Sequence, residues 1–216
     1  MYFCTYFDSH YLVRGLAMYE SLNKVCNNFK LFIFAFDHYT YDYLKKLKLK
    51  NVILIKLEDF EDAALKRVKK KRSKVEYMWT STPSTILYLF NKYKISSATY
   101  LDADIYFYRD PSILLQEAKN DSVLITEHRF LEKYDYSDKY GIYNVQFLFF
   151  RNNSYGIKVL KDWRRSCIKW CFDIHGNGLS GDQKYLDEWP KKFKKIKILE
   201  NLGGGLGPWN IQRYTV

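Results

Sequence analysis

Ser97-Ala-Thr-Tyr-Leu-Asp-Ala-Asp-Ile-Tyr-Phe-Tyr108 decides how the rest of the chain is read. Its residues alternate and are rich in aromatic and β-forming types, the pattern of a buried strand, expected over 99–106. On a strand, positions i and i+2 share a face, so Asp102 and Asp104 are expected to leave it on one side, a few ångströms apart. Two bare carboxylates that close repel, and one is driven to take up a proton. A hard divalent cation relieves the repulsion, because it seeks oxygen ligands, and Mg²⁺ or Mn²⁺ suits such a pair. The plainer alternative is a pair of solvated strand-end aspartates, followed by a turn at Arg109-Asp110-Pro111.

A chain of 216 residues is expected to form one domain, 1–216, with a sizeable core. Hydrophobic content of 47% and aromatic content of 19% exclude a disordered polymer. No stretch approaches the ~18–20 consecutive apolar residues of a membrane span. The first strand follows Met1 directly, without the basic-apolar-small pattern of a signal peptide, so a cytoplasmic protein is expected. Cys167 and Cys171 stand four apart in an apolar stripe with Leu160 and Trp163, which points to core packing over a disulfide or zinc pair.

The net charge of +11 is concentrated in Lys66-Arg-Val-Lys-Lys-Lys-Arg-Ser-Lys74 and Lys191-Lys-Phe-Lys-Lys-Ile-Lys197. No nucleic-acid-binding motif accompanies these runs, so no nucleic-acid partner is expected. Peripheral contact with an anionic inner membrane face is one use for them, and a solvated helix face is another.

Strands are expected at 2–7, 31–36, 52–57, 99–106, 122–126, 144–150 and 196–199, and helices at 12–25, 41–47, 62–71, 83–93 and 155–172. Strands apolar on both faces, alternating with helices, indicate an α/β fold with a mainly parallel central sheet flanked by helices. In open sheets of this kind ligands bind beyond the carboxyl ends of the strands. That rule gathers Asp8, Asp37, Asp102 and Asp104 around one crevice. A phosphate-binding Gly-x-x-x-x-Gly-Lys-Ser/Thr loop, a Gly-x-Gly-x-x-Gly turn and a Gly-x-Ser-x-Gly elbow are all missing, and the histidines lack metal-ligand spacing. What is left is a metal and nucleotide site without a phosphate loop.

Four segments in order, Tyr6-x-Asp8, Asp102-Ala-Asp104, Gly181-Asp182-Gln183 and Gly203-Gly-Gly-Leu-Gly-Pro-Trp-Asn210, resemble a GT-A (Rossmann-like) glycosyltransferase using a nucleotide-sugar donor. The likeness runs over essentially the whole chain and is greatest to the family-8-like group, which includes glycogenin and bacterial lipopolysaccharide galactosyltransferases. It implies that Asp102 and Asp104 hold Mn²⁺ or Mg²⁺ bridging the donor diphosphate. The family's third ligand, usually histidine, falls on Asn201, whose carbonyl oxygen is a weaker ligand. The lysine that precedes Pro-Trp in the family is Gly207 here, so another cation is expected on the diphosphate, Arg72 or Lys74.

The resemblance also distributes the donor contacts. Thr5, Tyr6, Asp8 and Tyr11 are expected at a uracil ring and its ribose, with an aromatic face for stacking. Gly203, Gly204 and Gly205 can bring backbone N–H groups to the diphosphate, an ordinary tight turn being the alternative. Ala103, Gln183 and Trp209 complete the donor set. Asn144 and Gln146, two apart on one strand face, are expected to bond sugar hydroxyls. Asp182 is either a helix N-cap or a sugar ligand or catalytic carboxylate, and His128 and Arg129 are expected toward the acceptor. The implied activity is metal-dependent transfer of a hexose or deoxyhexose from a UDP-sugar to a hydroxyl of a saccharide or glycolipid, with retention, Asp182 as an inverting base being the other course. A further domain or partner is expected to assist acceptor binding. Two other classes fit the residues: a non-catalytic nucleotide-sugar-binding module, and a sugar nucleotidyltransferase, which pyrophosphate release would reveal.

Overall fold

The computed structural model describes residues 1–174 and 178–214. Among the described residues one sheet is built from β1 (Tyr2–Phe7), β2 (Lys30–Ala35), β3 (Val52–Lys56), β4 (Ser97–Leu101), β5 (Val123–Glu127), β6 (Tyr143–Arg151) and β7 (Ile196–Ile198). The spatial order is β3-β2-β1-β4-β6-β5-β7. β6 alone runs against its neighbours, antiparallel to both β4 and β5. The helices are α1 (Leu12–Val25), α2 (His38–Leu47), α3 (Leu57–Phe60), α4 (Ala63–Lys69), α5 (Lys74–Tyr93), α6 (Ser112–Leu115), α7 (Ser137–Tyr140), α8 (Ser154–Lys169) and α9 (Trp189–Lys192). The expected α/β architecture with a mainly parallel sheet is the one observed.

Alternation along β1 shows how the layers form. Cys4 and Tyr6 enter a core with α5 and α8, while Phe3 and Phe7 enter a second core with α1 and α2 on the other face. A strand buried on both sides has to be apolar throughout. Cys167 and Cys171 are fully buried free thiols in the first core, together with Leu160 and Trp163, as expected.

The two largest departures from the expected boundaries are at β4 and α5. β4 ends at Leu101, and Asp102 to Asp104 lie in the turn beyond it. The ladder runs one bond further, from Asp102 N–H to the Gln146 carbonyl at 3.0 Å, and then stops. Ala103 and Phe107 turn into the core beside α1, where Phe107 N–H donates to Ser21 Oγ at 3.1 Å. The apolar alternation after Asp104 therefore marks a buried loop and not a continuing strand.

The second difference is α5, which starts at Lys74 and not at 83. Ser73 and Glu76 form a reciprocal capping box there, each side chain accepting from the other's backbone N–H. Pro83 then sits inside the helix, where it cannot donate to the Trp79 carbonyl one turn back. The Thr82 hydroxyl lies 3.0 Å from that carbonyl instead. Among the described residues no helix is long and apolar enough to cross a membrane.

Because β6 is the sole reversed strand, its amino end meets the carboxyl ends of β1, β4, β5 and β7 along one edge of the sheet. The position of α5 above that edge depends on its cap. Replacing Ser73 by Ala is expected to cost about 1 kcal/mol and lower Tm by about 2–4 °C, measured by calorimetric melting.

Candidate active site

Tyr6 to Asp8 end β1 and Asp102 to Asp104 follow β4, its neighbour. The register Phe3 to Thr99 and Cys4 to Tyr100, continued, sets Tyr6 opposite Asp102. Tyr100 hydroxyl donates to Asp102 Oδ1 at 2.9 Å, and the Tyr6 and Tyr100 rings lie 5.5 Å apart. From α5, Thr82 meets Tyr6 hydroxyl at 3.0 Å and Asp182 Oδ2 at 2.7 Å. Trp163 Nε1 on α8 donates to the Asp182 carbonyl at 2.8 Å, which anchors the turn carrying it. Two carboxylates far apart in sequence thus converge on one pair of tyrosines.

Their electrostatics follow from that crowding. Burial, together with the charge of Asp104, raises the Asp102 carboxyl from the ordinary 3.8 to about 7, against the Tyr100 hydrogen bond; Asp182 adds to the rise. Burial raises Asp182 to about 7 as well, although Thr82 bonds to it. Asp182 is 3% exposed and does not serve as an N-cap. The 3₁₀ helix Lys184–Glu188 begins after Gln183, without a side-chain cap. Gln183 Nε2 donates to the Tyr140 carbonyl at 2.8 Å.

β6 contributes Asn144 and Gln146 to the same edge. The pairings Leu124 to Phe149 and Thr126 to Asn144 leave extra residues in β6 between Asn144 and Phe149, a bulge around Gln146. Such irregularities re-aim side chains. Asn144 Oδ1 accepts from Gln146 N–H at 3.3 Å, and its Nδ2 is buried without a protein partner. A buried unpaired donor costs about 1–3 kcal/mol, and a hydroxyl-rich ligand would satisfy it.

Several expected ligands are placed differently. Arg72 donates to the Cys167 and Ile168 carbonyls at 2.7 and 3.0 Å and to Thr80, and lies over the Phe172 ring, so it caps the end of α8 and is not free for a diphosphate. Asn201 Oδ1 accepts from Gly203 N–H at 2.9 Å, which makes it a turn residue and leaves that oxygen one lone pair. Gly204 N–H bonds the Asn201 carbonyl at 3.2 Å. Gly204 and Gly205 are needed for packing: a Cβ there would lie 2.4 Å from Leu199 and 2.6 Å from Thr126, respectively. The tight-turn alternative holds for this loop, in place of an anion nest built on Gly203 and Gly204.

Arg129 staples that loop. Its guanidinium donates to the carbonyls of Leu199, Asn201 and Gly204 at 2.6, 3.3 and 3.0 Å, so it does not face an acceptor. His128 bonds the Gly141 carbonyl at 2.9 Å and meets Trp209 edge-on at 5.5 Å. Asp37 caps α2 through Thr40 N–H at 2.7 Å and ties β1 to β2 through Ser9 N–H at 2.9 Å, so it serves the scaffold. Thr5 shares the face of Phe3 and Phe7 and is fully buried, which turns its side chain away from Tyr6. Tyr11 is 39% exposed, with Arg14 over its ring. Asp8 is buried and paired with Lys74. Burial alone would raise its carboxyl, but Lys74 and the His10 N–H outweigh that and hold it below the usual range.

The fit of a dication rests on the donor set. Among the described residues no three His, Cys, Asp or Glu side chains lie close enough to form a metal centre by themselves. Asp102 and Asp104 supply hard oxygen ligands, and their mutual repulsion is what a dication relieves. The pair therefore suits Mg²⁺ or Mn²⁺ with its remaining positions left to substrate or water. Two grooves, of about 800 and 620 Å³, flank α8 and are lined by neither Asp102 nor Asp104.

Residues 28–192 match the nucleotide-diphospho-sugar transferase family, and the chain belongs to it. Two Bacillus subtilis (strain 168) relatives, the uncharacterized proteins YfnD and YfnF, are 27% and 29% identical over 100% and 99% of this chain and 70% and 73% of their own length. The glycosyltransferase GlyE of Streptococcus pneumoniae TIGR4 superposes with a TM-score of 0.58 at 15% identity, covering 94% of this chain and 46% of GlyE. The chain thus spans less than half of that protein. The galactosyltransferase LgtC, solved in complex with donor and acceptor sugar analogs, superposes at 0.53 with 13% identity over 92% of this chain and 73% of its own. These likenesses establish a GT-A fold.

Asp182 in the folded chain holds its proton to about 7, against the ordinary 3.8. Its ionisation therefore erodes stability progressively between these values, and the loss is complete above the higher one. Asp182→Asn removes that loss. Its stability relative to wild type is expected to rise by about 2–4 kcal/mol from pH 4 to pH 8 in metal-free urea titrations. A difference independent of pH would contradict this.

Proposed function

We propose that the chain transfers a hexose or deoxyhexose from a UDP-sugar to a hydroxyl of a saccharide or glycolipid acceptor, with retention of anomeric configuration. The observation that carries this reading is the meeting of Asp102, Asp104, Asp182 and Asn144 at one edge of the sheet in a nucleotide-diphospho-sugar transferase. Asp102 and Asp104 would hold Mn²⁺ or Mg²⁺. When bound, the ion neutralises charge that develops on the leaving diphosphate.

The side chains divide the remaining work. Asp8, at the end of β1, accepts from the nucleoside. Asn144 Nδ2 and the Gln146 amide donate to sugar hydroxyls, with Gln183 beside them. Asp182, held by Thr82 and the Trp163-anchored turn, takes the sugar hydroxyl next to the reacting carbon and keeps the ring in place. Trp209, edge-on to His128, shields the loop side of the site from water. Holding the acceptor hydroxyl near the anomeric carbon adds a positioning contribution, and a further domain or partner supplies part of that grip.

The test is product formation and ligand-induced stabilisation. UDP with Mn²⁺ is expected to raise Tm, and a matched UDP-sugar to be hydrolysed slowly with release of UDP. Asp102→Asn and Asp104→Asn are each expected to lower that turnover by about 100-fold and abolish the manganese-dependent shift. Undiminished manganese-supported UDP binding in both variants would overturn the proposal, and release of pyrophosphate would reassign the reaction to nucleotidyl transfer.

A further inference from the structure

Asp8 is a buried carboxylate with a half-exposed partner. Its Oδ1 accepts from His10 N–H at 2.9 Å, and its Oδ2 lies 2.5 Å from Lys74 Nζ. The Asp8 side chain is 6% exposed and that of Lys74 53% exposed. Lys74 is the first residue of α5, so its stem reaches from the helix start across the end of β1.

The basic groups nearby differ in how they are engaged. Arg72 and Arg129 are committed to backbone carbonyls, which no ligand could release without undoing the end of α8 or the loop after β7. Lys74 is held by Asp8 on a flexible stem and can let go. β1 and β4 are adjacent, with neighbouring strands about 4.8 Å apart, and their register sets Tyr6 opposite Asp102, so the carboxylate that holds Lys74 follows β1 beside the strand leading into the Asp102–Asp104 turn.

While the pair is closed, Lys74 competes with a base or ribose for the outer oxygen of Asp8, and its ammonium is engaged there and not on an anion. A nucleoside carries only the donors that suit Asp8. A nucleoside diphosphate carries those donors and an anion for Lys74. We propose that the Asp8–Lys74 ion pair is a latch opened by a nucleoside diphosphate, with Lys74 passing from Asp8 to the diphosphate, so that one lysine both closes the empty site and selects diphosphate over nucleoside. This rests on the donor reading above. An uncharged nucleoside breaks the pair without replacing it and binds weakly.

The experiment is titration calorimetry of the full chain with uridine and with UDP, each in Mn²⁺, on wild type, Lys74→Met and Lys74→Arg, after thermal melts show that the variants fold. Lys74→Met is expected to bind UDP about tenfold more weakly and uridine about threefold more tightly, because Asp8 Oδ2 is then left with only the His10 ring, 3.5 Å away. Lys74→Arg is expected to keep the wild-type preference for UDP. Equal weakening of both ligands in Lys74→Met would make Lys74 only a support for Asp8, and no change in either would remove it from the site; both overturn the latch. If wild-type protein bound neither ligand, the donor reading would fail and the latch with it. If wild type bound UDP and the opposite changes were absent, the latch alone would fail.

Discussion

Two carboxylates at one sheet edge, Asp102 and Asp182, with hydroxyls and not basic side chains bonded to them, are the constraint on which this structure turns. Asp102 and Asp182 are each held protonated to about 7 by burial, and Asp102 also by Asp104. Buried acids are ordinarily paired or fully hydrogen-bonded. Here the neighbours are hydroxyls, those of Tyr100 and Thr82. Hydroxyls orient a carboxylate but do not cancel its charge. The fold therefore carries an electrostatic deficit that a dication with an anionic ligand would relieve.

The scaffold keeps that deficit in place. The reversed strand β6 lies between β4 and β5, and its bulge brings Gln146 beside the turn of Asp102. The proline within α5 leaves the Trp79 carbonyl without a backbone donor, and the Thr82 hydroxyl has one hydrogen for that carbonyl or for Asp182. An ionised Asp182 claims it; a protonated one releases it. Guanidinium groups that could have neutralised the acids are used elsewhere, Arg72 at the end of α8 and Arg129 under the loop after β7.

Much of this could be read from residue order. The limits of β1 and α1 were legible because their apolar periodicities are clean and flanked by polar residues. The gathering of strand ends followed from parallel topology. Asp182 could be singled out only through the family likeness, since the hydroxyl that holds it lies on α5, a hundred positions away. The start of α5 was hidden because Ser73 and Glu76 sit in a lysine-rich run that reads as surface charge. The roles of Arg72, Asn201 and Arg129 were not legible for a common reason. Each satisfies backbone groups at helix ends and loops, and those groups have no residue identity to read. Glycines between Gly203 and Gly205 looked like a phosphate cradle because close packing on Thr126 and Leu199 demands the same residue.

The most direct measurement is the number of protons released when Mn²⁺ and UDP bind together, obtained by calorimetry at pH 6.5 in buffers of different ionisation enthalpy. If protonated carboxyls give way to the ion, binding releases close to one proton, and the uptake weakens as pH falls. Binding with no proton release, or with equal strength at pH 5.5 and pH 8, would contradict the account.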